Sequence, residues 1–192
     1  MRFIWFVLFA MMITSCRNNS ADFADELSAA DSLLLKVEQV SGQMNPGRLQ
    51  YILDMHHQIS DDSILFNQID ETRLRRYPIS RVYQQYQNIL MLVDTGIIAI
   101  NKLQAETFVT AEYINDLKQQ VSQENIQKKD FYDALTAEES LLVDLDERVN
   151  HLFMNIEDEI ALYIKMGESL EALRNEYLPP NNEEDESEPY QQ

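Results

Sequence analysis

Between Ile79 and Val121, apolar side chains recur at alternating steps of three and four residues. The row runs Ile79, Val82, Tyr86, Ile89, Val93, Gly96, Ile100, Leu103, Thr107, Thr110, Ile114, Leu117, Val121, and only Gly96, Thr107 and Thr110 interrupt it. A second row, Leu142, Leu145, Val149, Leu152, Ile156, Glu159, Tyr163, Met166, Leu170, Leu173, Tyr177, is interrupted by Glu159 alone. A 3-4 repeat of this length marks long helices packed side by side along a slowly winding stripe. The pattern predicts helices over 79–121 and 136–177, the second opened by a capping box at Thr136-Ala137-Glu138-Glu139. Each would extend about 63–65 Å at 1.5 Å per residue. Matched lengths predict an antiparallel hairpin with its bend between Ser122 and Leu135. Folding there sets Glu159 roughly opposite Gly96 to Ile98, where the missing side chain of Gly96 leaves space, unless a small local rotation turns Ile160 inward and Glu159 outward.

Upstream, Phe23, Leu27, Ala30, Leu34 and Val37 form a stripe, and Leu49, Ile52, Leu53 and Ile59 a shorter one. Asn45-Pro46 has the form of an N-cap followed by proline at the first helical position, and Tyr77-Pro78 marks another boundary. Helices are expected at about 22–41, 46–59, 62–76, 79–121 and 136–177 within a helical domain spanning 22–178. Leu90, Ile97, Phe153, Ile160 and Ile164 widen the long stripes beyond a two-helix seam and call for further neighbours. The expected fold class is therefore all-α: a long antiparallel, coiled-coil-like helical hairpin packed with shorter N-terminal helices into a three- or four-helix bundle. Leu178-Pro179-Pro180 stops the last helix, and 179–192 reads as an acidic disordered tail.

The N-terminus adds an address. Arg2, an apolar run from Phe3 to Ile13 and the small pair Thr14-Ser15 have the three parts of a secretory signal, and they lead directly into Cys16. Eleven apolar residues span about 16 Å as a helix, too short for about 30 Å of hydrocarbon. Ile13-Thr14-Ser15-Cys16 resembles, in a loose Bacteroidota-like form, the lipobox of bacterial lipoproteins. That resemblance covers residues 1–16 only. It implies cleavage of a 1–15 signal peptide, lipidation of Cys16 by palmitate-type chains, and a short tether over 16–21. It further implies anchoring in the outer membrane, on its periplasmic face. The mature chain would then have no cysteine for a disulfide, a metal site or thiol catalysis.

Charge narrows the partners. Loss of Arg2 leaves 14 basic against 33 acidic residues, a formal charge of 14 − 33 = −19. Such a chain repels phosphate backbones, which excludes nucleic acid as a partner. One basic segment stands against the trend: Arg73, Arg75, Arg76 and Arg81 form a candidate anion-docking patch, or else pair with acidic faces of the same fold. His56 and His57 are adjacent and His151 stands apart, with no second Glu-x-x-His pair for a di-metal bundle. No nucleophilic triad and no phosphate-cradling glycine loop occurs, so neither an enzyme nor a cofactor is expected. Lys128 and Lys129, followed by Phe131 and Tyr132 at the expected bend, are the candidate contact for a partner protein. The expected function is a lipid-anchored scaffold or adaptor that binds another envelope protein or a second copy. The alternative is an acidic immunity or inhibitor lipoprotein that neutralises a basic toxin or hydrolase. A small-ligand carrier or a hydrolase ranks below both.

Overall fold

A computed structural model describes residues 23–178; the expected signal peptide, Cys16 and its tether, and the acidic tail lie outside the described residues. Every regular element among those residues is helical. In chain order they are α1 (Ala24–Gln43), α2 (Pro46–Asp61), α3 (Ser63–Gln68), α4 (Glu71–Leu74), α5 (Ile79–Ser122), α6 (Lys128–Lys165) and α7 (Gly167–Tyr177). The protein is an all-α helical bundle built on a long helix pair. It divides into two compact units: the first takes α1 with 103–122 of α5 and 128–149 of α6, the second the remaining helices with 79–102 and 150–165.

The α5 stripe is buried as the repeat predicts, from Tyr86 through Ile100 and Leu103 to Val121. Thr107 and Thr110 do not break the helix. Both are buried, and the Thr107 hydroxyl donates 2.7 Å to the Leu103 carbonyl, so its polar atom is satisfied locally. On α6, Leu142, Leu145, Val149, Ile156 and Tyr163 are buried, joined by Phe153 and Ile160. Full burial of each such side chain contributes roughly 1.5–3 kcal/mol.

The bend differs from expectation. α6 starts at Lys128 rather than Thr136, because Phe131 and Leu135 continue the buried stripe backwards from Leu142. Thr136 is no cap; its hydroxyl donates 2.8 Å to the Tyr132 carbonyl within the helix. α5 ends in a Schellman motif: Asn125 N–H donates to Gln120 O (2.9 Å) and Glu124 N–H to Val121 O (3.0 Å). Glu124, at φ 57°, fills the left-handed position that glycine usually occupies. The shorter bend changes the register. A Cβ on Gly96 would lie 2.6 Å from Ile156 Cδ1 and 2.7 Å from its Cγ1, so Ile156 occupies the space expected for Glu159. Glu159 is turned to the rim and Ile160 points inward.

Two expected helices are subdivided. The 62–76 segment breaks at Ile69, which is extended and buried, and Asp70 starts α4 by accepting from Thr72 N–H at 2.7 Å. The 136–177 segment breaks at Met166, whose N–H is shared between Leu162 O (3.1 Å) and Tyr163 O (3.0 Å) just before Gly167. Met166, Leu170 and Leu173 stay buried across that break. α2 begins as expected, with the Asn45 side chain accepting from Arg48 N–H at 2.9 Å and Pro46 at the first helical position.

In the first unit α1 buries Ala30, Leu33, Val37 and Val40. Leu27 and Leu34 of the expected stripe are half-buried. Gln43–Asp146 (2.6 Å), Lys36–Glu139 and Lys118–Asp31 align α1 with the long pair. Exposed pairs of this kind contribute about 0–1 kcal/mol and set register more than stability.

The Gly96–Ile156 contact generates a sign reversal. Gly96→Ala should lower unfolding stability by about 1 kcal/mol, because overpacking outweighs the gain in helix propensity. In an Ile156→Ala background the same change should raise stability. Urea unfolding of the four chains checks this, and equal effects in both backgrounds contradict the contact.

Candidate functional site

Three constellations stand out. The first is a groove in the first unit, about 370 Å³ in volume, between α5 and α6. Ala105 and Val109 form one wall, Leu141 the other, and the buried side chains of Thr110 and Leu145 the floor. Val109 is 61% and Leu141 53% exposed, so most of this apolar surface faces solvent. Arg148 closes one end, with Nη1 2.8 Å from Glu106 Oε2 and 3.2 Å from Asp144 Oδ2. The Glu106 hydrogen bond is the main cause that holds the guanidinium above its ordinary pKa. One cation shared by two carboxylates leaves the end of the groove net negative. Phe108, Tyr113 and Val143 add exposed apolar surface to this unit. The sequence reading missed the groove because it followed the seam. The available signal was the off-seam pair Phe108-Val109 between two threonines, matched by Leu141 and Val143 on either side of a seam leucine.

The second is a polar cluster in the other unit. Asp62, buried between α2 and α3, accepts from Tyr163 Oη at 2.8 Å and from Arg174 Nη2 on α7. Tyr163 Oη also donates to Gln58 O at 3.3 Å, and Tyr86 Oη donates to Ile59 O at 2.9 Å. Burial pushes Tyr86 up to about 12. Burial, then the Asp62 hydrogen bond, pushes Tyr163 upward too. Both phenols thus stay protonated as donors. The chemistry is that of a staple joining the α2–α3 corner to α7 and α6.

The third is the bend, where the sequence placed a partner contact. Phe131 is fully buried and unavailable to a partner. Lys128 Nζ lies 3.0 Å from Glu26 Oε1 and 5.2 Å above the Phe23 ring. Lys129 and Tyr132 remain on the surface, with side-chain and residue exposures of 84% and 41%. Glu26 occupies a core position of α1 and is only 2% exposed, with the Tyr132 hydroxyl as well as Lys128 at its carboxylate. The Lys128 hydrogen bond is the main cause that holds the Glu26 carboxyl below its ordinary range.

The arginine segment is less concentrated. Arg73 Nη1 lies 3.3 Å from Tyr177 Oη with its guanidinium over that ring, and Arg75, the C-cap of α4, pairs with Glu71 at the start of that helix. Arg76 and Arg81 are exposed and make no ion pair among the described residues. His56 Nε2 sits 2.6 Å from Asp94, and no group of three or more metal-ligating side chains gathers among the described residues.

These features define a helical-bundle protein with an open apolar groove. No family model, curated protein or solved structure matches the chain.

The lowered Glu26 carboxyl sets a pH dependence. Stability from the Glu26–Lys128 pair is fully present above the ordinary glutamate range and is lost as pH falls through the depressed folded-state value. Glu26→Gln should therefore lower the melting temperature at pH 7, and the gap from wild type should narrow below pH ~4. A gap that widens on acidification contradicts the assignment.

Proposed function

We propose that this chain is a lipid-anchored, all-helical scaffold or adaptor, held through Cys16 on the periplasmic face of the outer membrane, whose task is to bind another envelope protein. The observation that carries the binding role is the groove between Val109 and Leu141: exposed apolar walls over a floor of Leu145 and Thr110, with a net-negative end. Desolvating such a surface against a partner helix is favourable, at roughly 25 cal/mol per Å² of apolar area removed from water. The occupant that fits is an amphipathic helix with an apolar stripe and lysine or arginine on its flank. A second copy fits less well, since two mature chains each carrying 14 − 33 = −19 repel one another. The address rests on the signal-like run ending at Cys16.

The acidic charge also keeps the inhibitor reading in view, and salt response separates the two. Apolar helix pairing weakens only modestly with ionic strength, whereas capture driven by the acidic surface weakens steeply.

Site-specific photocrosslinking at Val109 and Leu141 in intact cells should give one discrete adduct, whose crosslinked peptide is an apolar-striped helix with basic flanks. Val109→Asp with Leu141→Asp should abolish that adduct while helicity by circular dichroism stays unchanged. Persistence of the adduct in the double variant, or an adduct of twice the chain mass, overturns the groove as a partner site.

A further inference from the structure

The bend of the long helix pair and the start of α1 form one surface. Lys128, in the first turn of α6, reaches Glu26 at 3.0 Å and covers the Phe23 ring at 5.2 Å. α1 and α6 then run in the same direction, as the successive pairs Glu26–Lys128, Lys36–Glu139 and Gln43–Asp146 require. Phe23 is therefore next to the bend, while Ser41 lies about 27 Å further along α1. Six residues lie between Cys16 and Phe23, and the seven Cα-to-Cα steps reach about 25 Å at full extension. An anchor at Cys16 would hold the bend, and not the other end of α1, within reach of the bilayer.

The side chains at this end suit that neighbour. Tyr132 and Lys129 are exposed, and tyrosine and lysine are residue types that settle at the boundary between lipid and water. The Tyr132 hydroxyl is held by the Glu26 carboxylate, so the exposed part of its ring is what it offers the lipid boundary, while the Lys129 stem lies along that boundary with its ammonium among the headgroups. Tyr132 does not stand on a loose loop. Its ring meets that of buried Phe131 edge-on at 5.5 Å, and both belong to a formed helical turn. Asp25, Glu124, Asp130 and Asp133 share this end of the unit, so attraction to anionic headgroups is not the driving force. The surface fits an interface dominated by zwitterionic lipid.

We infer that the bend end of the first unit, through Phe23, Lys129 and Tyr132, seats on the headgroup layer of the bilayer that holds the Cys16 anchor. This rests on the lipid-anchor reading above. In that arrangement Leu141, thirteen residues into α6, stands about 20 Å above the headgroups with its groove clear of the membrane.

The test uses full-length protein purified from membranes and reconstituted in phosphatidylethanolamine vesicles with a minor phosphatidylglycerol fraction. With the Cys16 thiol acylated, a single introduced cysteine is the only reactive one. An environment-sensitive fluorophore at Tyr132→Cys should shift to the blue on reconstitution. Headgroup-nitroxide lipid should quench it several-fold more strongly than the same fluorophore at Ser41→Cys. Lys129→Cys repeats the measurement one turn away with Tyr132 intact. Equal quenching at the bend and at Ser41, or no blue shift at either bend position, overturns the inference while leaving the anchor reading standing. Failure of the unlabelled protein to float with vesicles, with an unmodified Cys16 by mass spectrometry, overturns both.

Discussion

In both units the fold depends on one constraint: the apolar row of α5 must stay in contact with the apolar row of α6. A row that repeats every 3.5 residues drifts only slowly around a helix of 3.6 residues per turn, so contact persists over many turns. The remaining features adapt to that contact. Gly96 lets Ile156 approach, Thr107 returns its hydroxyl to its own helix, and Met166 shares its N–H at a break that leaves the buried row uninterrupted. The shorter helices fill what the seam leaves open, α1 with a buried face from Ala30 to Val40 and α2 with Ile52, Met55 and Ile59.

Legibility in the sequence followed the strength of that periodic signal. The row from Ile79 to Val121 was readable nearly residue by residue, because every turn repeats the same evidence. The bend was not. Its helix ends in a Schellman motif with Glu124 in the left-handed position, where the sequence offers no glycine to mark it. Thr136-Ala-Glu-Glu139 then supplied a false start, since a threonine followed by glutamate serves equally well in mid-helix when its hydroxyl bonds backwards. The bend's displacement propagated: it shifted the facing register and put Ile156 rather than Glu159 against Gly96. Of the named partner residues, Phe131 went into the core and Lys128 to a glutamate on α1, a long-range pairing that no local pattern encodes.

Charge inside the bundle is handled by pairing. Glu26 and Asp62 occupy positions that would otherwise be apolar, and each meets a cation and a phenol: Lys128 and Tyr132 beside Glu26, and Arg174 with Tyr163 beside Asp62. Both cations keep part of their side chains in water, which limits the desolvation that makes fully buried pairs costly. Such pairs fix which helix lies against which, a task an interchangeable apolar contact performs less well. The open groove at Val109 and Leu141 is the converse case, apolar surface left uncovered in a chain that otherwise buries its seam thoroughly.

The seam itself is tested most directly by measuring which residues face one another across it. With Cys16 replaced by serine, a short bismaleimide should join Glu106→Cys to Arg148→Cys within one chain. It should fail to join Glu106→Cys to Thr136→Cys, which lies about 18 Å along α6 from Arg148. Efficient closure of the Thr136 pair, or closure of neither, would contradict the antiparallel register on which the fold is built.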